Sequence, residues 1–212
     1  MMDHTLLKAD ATQADIRRVC AEALEHQFAA VCVNSFFVPF IAAELSGSRV
    51  NACTVIGFPL GAASTEAKAA ESRIAVRSGA RELDMVVQVG ALLAADLSTV
   101  EDDIASVVKV AHDSGAIVKV ILENGYLTAR QIAVGCKLAQ AAGADFVKTS
   151  TGFGPSGATT GDVALMRRTV GDEMGVKAAG GIRSLEDALQ MVEAGANRIG
   201  SSASVKIVEA IA

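Results

Sequence analysis

The chain has no tryptophan, one tyrosine and only three prolines, and aromatic residues make up 4% of its 212 positions. No apolar run approaches the ~18–20 residues needed to span a bilayer, which excludes a transmembrane helix. The opening MMDHTLLKAD lacks the basic stretch and apolar stretch of a secretory signal, so a soluble, cytoplasmic protein is expected. No cluster of Lys and Arg is present and the net charge is −5, which argues against a nucleic-acid partner. That balance still permits a small phosphate ligand, because a few backbone N–H groups suffice to hold one.

Other absences narrow the chemistry. The four cysteines (Cys20, Cys32, Cys53 and Cys136) show no Cys-x-x-Cys spacing and lie in apolar segments. They read as free buried thiols in a reducing compartment. His4, His26 and His112 are scattered without ligand spacing, so no metal site is expected. Neither a Gly-x-Ser-x-Gly elbow nor a P-loop occurs.

What is present is a repeating unit. Gly79-Ala80, Gly115-Ala116, Gly143-Ala144, Gly175-Val176 and Gly195-Ala196 each follow a helix-like segment and precede a short apolar run. Glycine at these points supplies the left-handed residue that ends a helix, and the β-branched residues that follow enter a strand. Thr128 with Gln131 fits a capping box, and Ser184 with Asp187 and Thr12 with Asp15 are weaker versions. Helices are expected over 65–78 and 127–142. Strand candidates lie near 3–7, 29–34, 50–57, 81–87, 117–122, 144–149, 175–180 and 197–201. Strands alternating with helices should be parallel, and eight βα units in one chain point to a (β/α)8 TIM barrel occupying 1–212 as a single domain. An open doubly wound sheet is the competing architecture, favoured if only five or six of these strands form.

Charges interrupt the apolar strands. Side chains alternate along a strand, so Lys148 of DFVKTSTG faces away from Val147 and Thr149 and into the barrel. The same parity turns Lys177 and Asp84 inward and puts Lys119 and Glu123 on one face. A structural ion-pair layer would account for such charges. Lys148 and Lys177, however, fall on neighbouring strands as like charges, roughly 4–6 Å apart if strands are ~4.8 Å apart. At an effective dielectric of 20, a second ammonium ~5 Å away disfavours protonation by roughly 3 kcal/mol, and desolvation adds to this. Two adjacent interior lysines are therefore one way to obtain a neutral amine that attacks a carbonyl, with Asp84 available for proton transfer. The glycines of AAGGIRS and RIGSSAS follow the last two strands, where such barrels hold phosphate.

DHTLL, VCVN, ELDMVV, KVILENGYL, FVKTSTGFG and VKAAGGIRS, in that order along the chain, resemble the deoxyribose-phosphate aldolases. The resemblance implies a metal-free, cofactor-free lyase, commonly a homodimer. Such an enzyme interconverts 2-deoxy-D-ribose 5-phosphate with glyceraldehyde 3-phosphate and acetaldehyde. By the matching motifs, Lys148 would form a Schiff base, Lys177 would tune it and assist proton transfer, and Asp84 would act as general acid/base. The imine would serve as electron sink for breaking the sugar's C3–C4 bond. Asp3, Thr5, Cys32 and Thr151 would lie along the sugar, and Gly152, Gly180, Gly181, Gly200, Ser201 and Ser202 around the phosphate. Against the family pattern the chain starts without the usual N-terminal helix over the barrel floor. Gln88, Phe153 and Ala203 also replace commoner residues; Ala203 should still offer its backbone N–H, and looser phosphate binding is expected. Two other readings stay open: a phosphosugar isomerase with Asp84 as lone base, and a barrel that only binds a sugar phosphate or serves in an assembly.

Overall fold

The computed structural model describes residues 1–211. Eight strands form in the expected places: β1 Met2–Leu6, β2 Ala30–Val33, β3 Asn51–Ile56, β4 Glu82–Val86, β5 Ile117–Ile121, β6 Phe146–Lys148, β7 Gly175–Ala179 and β8 Arg198–Ser201. They pair in sequence order, all parallel, and β8 returns to β1 to close a barrel. That closure rules out the open doubly wound sheet. The helices α1 Gln13–Glu25, α2 Val38–Glu44, α3 Thr65–Arg77, α4 Val89–Leu93, α5 Leu97–His112, α6 Ala129–Ala141, α7 Thr160–Val170 and α8 Leu185–Glu193 lie in the connections, and α9 Ser204–Glu209 follows β8. Among the described residues, no helix is long and apolar enough to cross a membrane.

All three caps are complete capping boxes, including the two that use Asp in place of Glu or Gln. Four of the five repeat glycines, Gly79, Gly115, Gly143 and Gly195, have the positive φ that ends a helix. Gly175 differs. The helix-ending glycine of that unit is Gly171, and Gly175 instead opens β7. A Cβ on Gly175 would lie 2.1 Å from the Phe146 ring, so the position is kept small by packing.

Strand parity divides the interior in two. Val31, Val33, Leu83, Met85, Val118, Val120, Val147, Val176 and Ile199 face the helices and form one continuous core with them. Inside the barrel, Ala30, Cys32, Cys53 and Val55 make a small apolar patch on β2 and β3. The remaining interior is charged.

Candidate active site

Asp84 stands at the centre of that charged interior. Its Oδ2 accepts from Lys148 Nζ and from Lys177 Nζ, each at 2.7 Å, and its Oδ1 accepts from Lys119 Nζ at 2.8 Å. Lys177 also donates to Asp3 Oδ2 at 2.5 Å, while Lys119 reaches Glu82 Oε2 at 2.5 Å. Arg198 closes the layer below, donating to Asp3 Oδ1 at 2.6 Å and to Glu82 Oε2 at 3.0 Å. A Cβ on Gly200 would lie 2.9 Å from Lys177 Cε, so this glycine leaves the space through which Lys177 passes to Asp3.

The register explains why these groups meet. Lys148 sits opposite Lys177, Lys177 opposite Arg198, and Asp84 opposite Lys119. The two lysines are thus the neighbours that parity implied, but a shared carboxylate lies between their ammonium groups. Repulsion from Lys177 therefore does not act as the sequence led us to expect. Burial pushes the Lys177 ammonium toward neutrality, but Asp3 and Asp84 outweigh it and hold the group above its ordinary range. Burial would likewise raise the Asp84 carboxyl, yet Lys119, Lys148 and Lys177 together hold it well below the carboxylate range. Both groups stay charged, which makes Asp84 an anchor and a poor general acid.

Four cations share three carboxylates here, leaving one positive charge in excess. Lys148 is the network lysine with a single carboxylate partner, and that partner is shared. It is also the one network cation that lines the cavity at the barrel mouth.

That cavity has a volume of about 230 Å³. Of the residues picked out from sequence, Thr5, Lys148, Thr151, Gly152, Gly180, Gly181, Gly200, Ser201 and Ser202 line it. Asp3, Cys32, Asp84 and Lys177 do not; all four are fully buried beneath it. For Asp3 and Cys32 this modifies the sugar-contact reading. Asp3 supports Lys177 from below, and Cys32 lies beside Cys53 in the apolar patch.

The phosphate end also differs in its details. The N-terminus of α8 is filled by its own Asp187, whose carboxylate accepts from the N–H groups of Arg183 and Ser184. The Ala203 N–H, expected to remain available, donates to Ser201 Oγ, and that hydroxyl donates in turn to Ile182 O. What remains for an anion is the Gly180-Gly181 turn, both residues at positive φ, together with two cations on the cavity wall, Lys8 and Arg183. Neither cation was singled out in the sequence, since each follows its strand in a loop where parity says nothing. Phe153 lines the same wall and meets Phe58 edge-on at 5.4 Å.

Glu123 behaves unlike its parity partner. It lies past the end of β5 at φ 57°, outside the strand's alternation, and accepts from both the N–H and the hydroxyl of Thr151. It holds the Thr151 loop at the cavity edge. Gly154 approaches so closely that a Cβ there would lie 2.7 Å from Glu123 Cδ. Lys119, by contrast, belongs to the ion-pair layer, together with Glu82 and Arg198. Those two share parity with Asp84 and Gly200 on their strands, a signal present in the sequence.

With this geometry in view, the likenesses to known proteins are specific. A family model described as "DeoC/LacD family aldolase" matches residues 1–206. The deoxyribose-phosphate aldolase of Brevibacillus brevis is 57% identical over 207 residues, covering 98% of this chain and 93% of that protein. The one from Thermococcus kodakarensis is 57% identical over 210 residues, covering 98% and 94%. Among solved structures, the tetrameric deoxyribose phosphate aldolase of Aeropyrum pernix superposes with a TM-score of 0.92. It is 37% identical, with 99% of this chain and 88% of that one covered. A lysine lining the mouth of a parallel barrel over a buried carboxylate, matched by a family model across nearly the whole length, leads to one assignment: the chain belongs to the DeoC/LacD aldolase family.

Proposed function

We propose that Lys148 is the nucleophile of the reaction and that the network beneath it keeps its amine in place. The chain acts as a deoxyribose-phosphate aldolase, the name its close relatives carry, which makes it a carbon–carbon lyase interconverting 2-deoxy-D-ribose 5-phosphate with D-glyceraldehyde 3-phosphate and acetaldehyde. The observation that carries Lys148 is its position as the one member of the lysine network on the cavity wall.

Lys148 Nζ adds to C1 of the open-chain sugar, and loss of water gives the iminium ion. Carbon counting places the scissile bond at C2–C3, not at the C3–C4 bond expected from the sequence, because acetaldehyde takes two carbons. The C3 hydroxyl gives up its proton as C2–C3 breaks, its oxygen becoming the aldehyde of glyceraldehyde 3-phosphate. The bonding pair moves to C2 and on to the iminium nitrogen, forming an enamine. Protonation at C2 and hydrolysis release acetaldehyde and restore Lys148.

Asp84 stays ionised and offsets the iminium charge, taking over the role it has toward the Lys148 ammonium. Lys177 stays charged, orients Asp84 and keeps Oδ2 in register with Nζ. Proton transfer at C3 and C2 then falls to a water held near Thr151 and Lys148. Gly152, Gly180, Gly181, Gly200, Ser201 and Ser202, with Lys8 and Arg183, flank the phosphate, and Thr5 and Thr151 the sugar. Asp3 and Cys32 support the site from below. The isomerase reading is disfavoured because the lysines hold Asp84 too acidic for a lone base.

Incubation with acetaldehyde and borohydride, followed by peptide mapping, should find the reduced two-carbon adduct on Lys148. Folded protein without an adduct there would overturn the assignment. We also propose a homodimer in a cytoplasmic setting. Four free buried cysteines suit a reducing compartment, and sedimentation equilibrium reads the assembly directly.

A further inference from the structure

We propose that Cys32, Cys53 and Asp84 form a binding site for a thiophilic divalent cation, Zn2+ or Cd2+, and that an ion seated there inhibits turnover. The two cysteines stand directly opposite each other on β2 and β3, and Asp84 faces Val55 of β3 on the next strand. Register therefore brings two sulfurs and a carboxylate to one spot from positions that show no metal spacing in the sequence. One donor atom from each residue lies within 4.8 Å of the others, and all three residues are fully buried.

The spacing suits coordination. Zinc–sulfur bonds of about 2.3 Å and zinc–oxygen bonds of about 2.0–2.2 Å, at tetrahedral angles, place sulfur and oxygen roughly 3.5 Å apart. Cys53 Sγ and Asp84 Oδ1 are 3.4 Å apart, with the thiol donating to the carboxylate. An ion takes the place of that thiol proton with little movement of either heavy atom. Three protein donors leave one position for water.

Charge also favours the exchange. Binding M2+ releases the two thiol protons, so the interior gains no net charge. The sulfur of Cys53 accepts a hydrogen bond from Lys119 Nζ at 3.5 Å. On the other side the two cysteines cluster with Ala30 and Val55, an apolar surround that strengthens metal–ligand contacts. Cys20 and Cys136 lie in helices outside the barrel and, among the described residues, belong to no group of three donors. They are poor competitors for the ion.

Inhibition follows from the shared carboxylate and rests on the Lys148 reading. Oδ1 of Asp84, when bound to a cation, no longer anchors Lys119, and the carboxylate that offsets the iminium charge is partly neutralised. Binding itself does not depend on that reading, so the two are tested separately.

Titration of the reduced chain with Cd2+, followed by the ultraviolet cadmium–thiolate absorption, should saturate at one ion per chain. In Cys53→Ala, shown folded by circular dichroism, affinity should fall more than about tenfold. The Cys20→Ala/Cys136→Ala protein should bind as the parent does. No absorption in the parent, unchanged affinity in Cys53→Ala, or loss of binding in the Cys20→Ala/Cys136→Ala protein would each overturn the site. In the activity assay, Cd2+ should inhibit the parent reversibly on adding EDTA, with at least about tenfold weaker inhibition of Cys53→Ala. Binding without inhibition would overturn the coupling to Asp84 and leave the site standing.

Discussion

The protein buries lysine against aspartate in two places, and the balance comes out in opposite directions. Between α3 and α5, outside the barrel, Lys68 Nζ reaches Asp103 Oδ2 at 2.5 Å and Val86 O at 2.9 Å, with both side chains fully buried. Burial dominates there: it pushes the Asp103 carboxyl up and the Lys68 ammonium down, and the one-to-one pair offsets only part of it. Inside the barrel every carboxylate faces several cations, and attraction outweighs burial for Asp84, Asp3 and Lys177. A single buried pair barely recovers its desolvation cost, whereas a network shares each charge among several partners. Only the network can hold a lysine at the edge of a cavity beside a fixed negative charge.

Replacing members of each group should break this contrast in graded steps. Lys148→Leu should reduce cleavage by at least about 10³-fold, as loss of a covalent nucleophile does. Because it removes the surplus cation, the urea midpoint should hold or rise. Asp84→Asn strips the shared acceptor from three ammonium groups and should destabilise the fold by about 3–5 kcal/mol in urea, as well as abolishing turnover. Lys68→Met/Asp103→Leu should behave differently, leaving stability unchanged or raising it by about 1–4 kcal/mol, with activity near the parent's.

Acid sharpens the contrast further. The Asp3 carboxyl is held down at about 2 against an ordinary 3.8. Its contribution is fully present above 3.8 and is lost as pH falls toward about 2, amounting to about 2 kcal/mol. Asp103, raised above 3.8, works with the opposite sign: protonation through its window favours the folded state. Stability against pH should therefore fall more steeply on the acid side in Lys68→Met/Asp103→Leu than in the parent. Equal acid limbs in the two proteins would show that Asp103 is not shifted.

Much of this could be read in the sequence, and the limits have physical reasons. Period-two alternation placed Lys148, Lys177, Asp84 and Lys119 inside, because parity is a local property of a strand. Parity gives a face but not a depth or a partner. Asp3 and Cys32 were thus taken for cavity residues although they lie beneath it. The carboxylate between the two lysines comes from a strand that neighbours neither of theirs, so no strand-by-strand reading places it there. Lys68 and Asp103 meet through helix packing, and Cys32 meets Cys53 through register. Both contacts join residues far apart in the chain. Lys8, Arg183 and Glu123 sit in loops, where alternation stops.

The glycine that opens β7 has a consequence for traffic. With no side chain there, the Phe146 ring lies across the lower end of the barrel, and Arg198 stacks over it at 5.4 Å. The cavity lined by Lys148 opens at the opposite end, the barrel mouth. The proposed chemistry would tether the two-carbon fragment to Lys148 and leave the phosphate-bearing fragment nearer the rim, so departure should follow the order of a queue. On that proposal glyceraldehyde 3-phosphate should leave first and acetaldehyde last, and in the synthetic direction the two-carbon aldehyde should enter first.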